Sequence, residues 1–152
     1  MTPAQLAQLG EYIASQPDLD APATPDGSFA IAERLNAPAG VAIRSRFVTA
    51  RTVLAEIGPG GAVILDKLEA VAAVSSPVKW AMRFITQDSG IDIGHPGTQG
   101  MIDQLVAGNA LTADEGAALK GLALLPITRA ESVIDGYSGT VSYQDVDAAR
   151  NM

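Results

Sequence analysis

One short pattern, repeated in the C-terminal third of the chain, fixes where helices can begin. An apolar residue, a Ser or Thr, two further residues and an acid occur in LTADE, ITRAE and VSYQD, which begin at residues 111, 127 and 141. This is the capping-box order, in which hydroxyl and carboxylate satisfy the free amides of a helix start. The preceding apolar residue can act as a hydrophobic staple. The pattern predicts three short helices that form a compact helical end-piece.

Helical periodicity also dominates the rest of the chain. Apolar residues recur at spacings of three and four in six segments, residues 2–15, 26–36, 50–58, 61–74, 77–88 and 99–110. The segment 61–74 is the most apolar, so we expect it in the middle of the core. Trp80 and Phe84 cluster at helical spacing, and this predicts that both are buried.

Residues 40–48, GVAIRSRFV, show the one alternating pattern in the sequence. Val41, Ile43 and Phe47 alternate with polar or small residues, and Ser45 interrupts the pattern. Alternation is typical of a strand, and an isolated strand needs a partner, from this chain or from another. An extended arm and the start of the next helix remain alternatives.

These patterns predict a mainly α protein. A chain of 152 residues without cysteine is long enough to fold around its own core without disulfides. We expect a single compact domain, 1–152, of about six to eight short helices, with one short strand or extended arm near 40–48. A division into an N-terminal extended part, 1–48, and a compact helical part, 49–152, remains open.

The charge and apolar runs argue against two classes of partner. Ten basic and seventeen acidic residues give a net charge of −7, and phosphate backbones repel such a surface. The longest apolar run, residues 121–127, is far shorter than the roughly 20 residues of a membrane helix. The N-terminus lacks the features of a signal peptide. We therefore expect no nucleic acid partner and no membrane association.

The glycine-rich segment 86–100 contains the only histidine, His95. Zinc would need carboxylates for its other ligands, and a calcium loop starting at Asp88 lacks the required Gly and Glu, because Ile93 and Gln99 occupy those positions. Asp92 could orient the imidazole for acid–base chemistry. A surface histidine in a connecting turn is the favoured interpretation. The sequence therefore predicts no catalytic, cofactor or metal residues, no cofactor, and a protein that is not an enzyme.

Two groups of charged residues could be either ordinary surface charge or part of a functional site. Asp66 and Glu69 share one helix face, and a solvated stripe is favoured over a paired-carboxylate site. Arg44, Arg46 and Arg51 form the only local positive cluster. This cluster is either ordinary surface charge or a group that binds an acidic partner.

Segments at both ends resemble a group of small proteins encoded among the late structural genes of tailed bacteriophages. The similar residues are DGSFAIAERLNAP near the N-terminus and ITRAES with VSYQDVDAAR near the C-terminus, and the similarity spans roughly residues 10–38 and 110–151. The resemblance implies a virion-associated protein, made in the host cytoplasm. It implies no catalytic residue, and it does not distinguish capsid, neck, tail or fibre.

The resemblance leads to a functional hypothesis with one alternative from another class. We expect a virion structural protein that contacts other virion proteins or copies of itself in a homo- or hetero-oligomeric assembly. The alternative is a non-virion helical binding module, such as an assembly chaperone or an inhibitor of a host protein. The candidate interface consists of the segment 40–48, the nearby Arg51 and the C-terminal tail. Its residues are Ile43, Arg44, Arg46, Phe47, Arg51 and Tyr143.

Overall fold

The computed structural model describes all 152 residues, and it confirms the mainly α class. Nine α-helices, one more than the upper end of the expected range, lie at α1 Pro3–Ser15, α2 Pro25–Leu35, α3 Ala50–Ile57, α4 Pro59–Ala72, α5 Ser76–Ile85, α6 Pro96–Ala107, α7 Ala113–Gly121, α8 Arg129–Val133 and α9 Tyr143–Arg150. Four short strands lie at β1 Pro38–Ile43, β2 Phe47–Val48, β3 Ile91–Asp92 and β4 Leu124–Thr128. A single 3-10 turn covers Pro17–Leu19.

The residues divide into two compact units. The first, here the N/C unit, consists of Met1–Val41 together with Pro126–Met152, and the second, the central unit, is Ala42–Leu125. This boundary differs from the one considered at residue 48. The N-terminal part is also not simply extended, because α1 and α2 lie within it.

The N/C unit is built around α1, α2 and α9. Helix α9 packs against both α1 and α2, so the unit joins the two ends of the sequence. Its core is a cluster of mostly aliphatic residues: Leu9, Ile13, Leu19, Ile31, Ala32, Leu35, Ala130, Ile134, Val141, Val146 and Ala149. Gly10 allows close packing here, since a Cβ at that position would lie 2.5 Å from the carbonyl oxygen of Ala149.

Polar contacts across long sequence separations accompany this core. Asn36 hydrogen-bonds the backbone of Val141 in both directions, accepting from its N–H and donating to its carbonyl at 2.8 Å each. The guanidinium of Arg129 donates to the carboxylate of Asp18 and, at 2.8 Å, to the hydroxyl of Tyr12. These bonds connect the first 36 residues to the last 27 and orient the helices around the core.

The central unit is built from helices that follow one another in the chain. Helix α4 packs against α3 and α5, and α6 packs against α7. Val53, Ile64, Leu68, Val78 and Ile102 are among its buried residues. The segment 61–74 contributes Ile64 and Leu68 to this core, as its apolar character predicted.

The strands form two small sheets. Strands β1 and β4 are neighbours in one, and β2 pairs antiparallel with β3 in the other, with Phe47 opposite Asp92. The predicted strand near 40–48 is therefore confirmed as two short strands interrupted at 44–46. Both strands find their partners within this chain.

All three predicted capping boxes are present. Thr112 with Glu115, Thr128 with Glu131 and Ser142 with Asp145 begin α7, α8 and α9, with the hydroxyl accepting from the backbone N–H at 3.2 Å in each case. These motifs depend only on residues three apart, so the sequence determines them locally.

The predicted burial of Trp80 and Phe84 is wrong. Trp80 is 55% exposed and Phe84 is 49% exposed. Helix α5 buries Val78 and Ile85 instead. Trp80 and Phe84 are four residues apart, so they share a face, but that face is turned away from the core.

Candidate contact surfaces

Helix α5 carries the most prominent aromatic surface of the central unit. We define the α5 surface as Trp80, Arg83 and Phe84, all of which are exposed. The guanidinium carbon of Arg83 lies 4.6 Å from the centroid of the Trp80 ring. Lys79 is exposed on the same helix. The surface therefore combines two aromatic side chains with positive charge.

The local sequence explains why α5 has an exposed aromatic face. Pro77 lies in the first turn, where its missing N–H is tolerated. Val78, Met82 and Ile85 then pack into the central core. This packing leaves Trp80, Arg83 and Phe84 on the solvent-exposed side of the helix. Trp and Arg are the residue types most enriched at the energetic centres of protein interfaces, so this composition suits contact with another protein.

The N/C unit has a groove with an exposed aromatic residue on two of its helices. We define the N/C groove by Phe29, Glu33 and Asn36 of α2 and its cap, and by Val141 and Tyr143 at the start of α9. Phe29 is 63% exposed and Tyr143 is 41% exposed. The paired bonds between Asn36 and Val141 hold the two walls together. The groove is apolar, and Glu33 supplies a carboxylate at its rim.

The predicted interface residues are divided between the two units. Ile43 is 48% exposed, Phe47 is 67% exposed, and Arg51 is also exposed. Tyr143 belongs to the N/C unit, whereas the other five belong to the central unit. Ile43 instead lies beside Leu124 in a shallow groove formed with α6 and α7.

Arg46 is held within the central unit. Its guanidinium donates to both carboxylate oxygens of Glu56, and also to the carbonyl of Leu122 at 2.9 Å. The hydrogen bonds from Arg46 hold the pKa of Glu56 below its usual value. These bonds fix the guanidinium of Arg46 within the central unit.

The loop around His95 is organised by Asp92. The Asp92 carboxylate accepts hydrogen bonds from the Ser45 hydroxyl at 2.7 Å and from the N–H groups of Arg46 and Gly94 at 2.9 and 3.0 Å. These bonds, that of Ser45 first, lower the pKa of Asp92. A Cβ at Gly94 would lie 1.9 Å from the carbonyl oxygen of Arg44, so only glycine fits there.

His95 is exposed, as predicted, and it caps α6. Its Nδ1 accepts the backbone N–H of Gly97 at 3.0 Å. The helix therefore begins at Pro96. The contacts of Asp92 hold the residues before β2 against the end of β3, and the contact of His95 fixes the start of α6.

The remaining charged candidates lie at the surface. Asp66 and Glu69 are exposed on α4, as expected for a solvated stripe. Lys67, between them, donates to both carboxylate oxygens of Glu115 at 2.7 and 2.8 Å. No group of three or more His, Cys, Asp or Glu side chains is placed to hold a metal ion. None of the helices has the length and apolar character required to span a membrane.

Sequence reasoning missed the α5 surface and the N/C groove. The one signal available for α5 was an excess of apolar residues, since Val78, Trp80, Met82, Phe84 and Ile85 cover more than one face of a ten-residue helix. The N/C groove had no local signal, because its walls are more than 100 residues apart in the sequence.

Comparisons with protein-family profiles, with characterised proteins and with solved structures find no significant match to this chain.

Proposed function

We propose that this protein is a structural component of a tailed-bacteriophage particle, and that it acts through protein–protein contacts in a symmetric assembly. It would be made in the host cytoplasm and become part of the virion as a minor tail, neck or capsid-associated component. The resemblance of both ends of the sequence to small late phage proteins supports the phage setting.

The observation that carries the contact function is the exposure of Trp80 on the α5 surface. An indole that is 55% exposed leaves a large apolar area in water, and covering it releases free energy at about 25 cal/mol per Å². Phe84, which is 49% exposed, extends the same face by one helical turn. Central Trp residues with an adjacent Arg are typical anchors of protein interfaces.

Quantitative mass spectrometry of purified particles tests the proposal. A structural component should be present in a fixed number of copies per particle after density-gradient purification. A protein abundant in infected cells but absent from particles would contradict the proposal.

A variant experiment then connects the function to the α5 surface. Particles grown with Trp80→Ser should contain at least about tenfold less of the protein, since loss of one anchor costs roughly 2 kcal/mol or more. Val74→Ser is the matched control, because Val74 is 89% exposed but lies outside the α5 surface. Its incorporation should be unchanged, and equal incorporation of both variants would exclude the α5 surface as the contact.

The second candidate is a non-virion binding module, such as an assembly chaperone or an inhibitor of a host protein. It is favoured by the composition of the N/C unit, which contains nine acidic and only three basic residues. Such a charge suits capture of a basic partner. This function predicts presence in infected cells, absence from finished particles, and co-purification with one basic protein.

A further inference from the structure

The charged residues are divided unequally between the two units. The N/C unit contains nine acidic and three basic residues, a net charge of −6, and it has no lysine. The central unit contains eight acidic and seven basic residues, a net charge of −1. Seven of the ten basic residues of the chain thus lie in the central unit.

The basic residues of the N/C unit are bound to its own acceptors. Arg34 donates to the carbonyl of Asp18, Arg129 to the Asp18 carboxylate, and Arg150 to the carbonyls of Ala21 and Pro22. These arginines are used in holding the unit together, whereas Glu33 is exposed at the rim of the N/C groove. The groove therefore presents exposed aromatic groups in an acidic setting.

The α5 surface has the opposite charge and the same apolar character. Arg83 lies against the Trp80 ring. Lys79, four residues before Arg83, is also exposed. Two α5 surfaces brought face to face would place these cations against each other, so a symmetric contact between them is unfavourable. The complement is a surface that offers a carboxylate beside exposed aromatic groups, and the N/C groove offers Glu33 with Phe29 and Tyr143.

We propose that the α5 surface of one copy of this protein binds the N/C groove of a second copy, with Arg83 paired to Glu33 and Trp80 packed against Phe29 and Tyr143. The two surfaces differ, so the contact is head-to-tail. Repeated head-to-tail contacts generate closed rings or helical arrays. The inference builds on the proposed function by naming the partner as a second copy.

Reciprocal charge reversal in the full-length protein tests this contact. Wild-type protein should self-associate with rising concentration in sedimentation velocity at low salt. Arg83→Glu and Glu33→Arg should each weaken association by at least about tenfold, because like charges then meet. An equimolar mixture of the two variants, or both substitutions in one chain, should restore association, because opposite charges meet again.

The single tryptophan provides a second measurement. Trp80 is the only tryptophan in the chain, so its emission should move to shorter wavelength as association covers it. Glu11→Arg is the matched control for Glu33→Arg, since Glu11 is an exposed glutamate of α1 outside the N/C groove. It should associate like wild type, and circular dichroism should show that every variant keeps its helices.

Three results would overturn the contact. They are a monomer at all concentrations, a loss of association that reciprocal reversal does not restore, or a Trp80 shift that is independent of concentration. The proposed function can survive these results, because a particle component can bind through other virion proteins. Conversely, self-association by this contact would stand even if the protein were absent from particles.

Discussion

The two units of this protein reach a buried core by different routes. In the central unit, neighbouring helices in the sequence are also neighbours in space, as α3, α4 and α5 are. In the N/C unit, α9 must return from the end of the chain to pack against α1 and α2. The central unit can therefore form most of its contacts locally, whereas the N/C unit forms its contacts only after a long loop closes.

Their polar contacts differ in the same way. The N/C unit joins distant segments by directed bonds, such as those from Asn36 to Val141 and from Arg129 to Asp18. The central unit has fewer such bonds between distant segments, among them those from Ser45 to Asp92 and from Lys67 to Glu115. Directed bonds define one arrangement of segments that apolar contact alone would leave open. Polar contacts thus provide specificity where proximity in the sequence does not.

The largest expected effect comes from separating the units. A fragment of residues 42–125 should fold by itself, because its core residues are all within that segment. A fragment of residues 1–41 should remain unfolded, because α9 and α8 supply part of its core. Circular dichroism and amide chemical-shift dispersion measure both outcomes. An unfolded 42–125 fragment would contradict the distinction between a local and a non-local unit.

The next effect concerns the core of the N/C unit. Leu35 is fully buried in α2, so Leu35→Ala should lower the free energy of unfolding by about 3 kcal/mol, from lost burial and the cavity left behind. Phe29→Ala in the same helix is the control, because Phe29 is 63% exposed. It should cost less than about 1 kcal/mol. Urea denaturation measures both, and equal losses would contradict the assigned burial of α2.

The sequence predicted the features that depend on nearby residues. The capping boxes at Thr112, Thr128 and Ser142 were found because each needs only residues three positions apart. The mainly α class followed from another local feature, the recurrence of apolar residues at spacings of three and four. The exposure of His95 could be predicted because a glycine-rich segment favours a surface turn.

The errors concern which surfaces meet. Periodicity placed Trp80 and Phe84 on one face of a helix, but it could not show which face the rest of the chain covers. The bonds of Arg46 to Glu56 and Leu122 could not be predicted, because they depend on tertiary structure. The N/C groove could not be predicted either, because its two walls come from opposite ends of the chain.

A smaller effect, specific to acid, should distinguish the polar contacts of the N/C unit. The hydrogen bond from Arg129 holds the pKa of Asp18 below its ordinary value of 3.8. A carboxyl group with a lowered pKa stabilises the fold above its ordinary value, and that contribution is lost as the pH falls through its folded pKa. Wild type should therefore lose more stability than Arg129→Met between pH 5 and pH 3.

Thermal unfolding of both proteins across that pH range measures the difference. Other carboxylates with lowered pKa values, such as Asp92 and Glu56 in the central unit, are present in both proteins and should contribute equally. Parallel pH profiles for wild type and Arg129→Met would show that the bond to Asp18 does not contribute to stability.

The smallest effect should be the same in both units. Thr112→Ala removes a cap in the central unit and Ser142→Ala removes one in the N/C unit, and each should cost about 1 kcal/mol of unfolding free energy. Thr140→Ala is the control, since Thr140 is exposed just before the last cap. Helix caps act within one turn, so long-range organisation should not change their value. Equal losses of unfolding free energy at the two caps would show that the units differ only in their long-range contacts. A much larger loss at Ser142 would contradict this, and would mean that the start of α9 also stabilises the packing of α9 against α1 and α2.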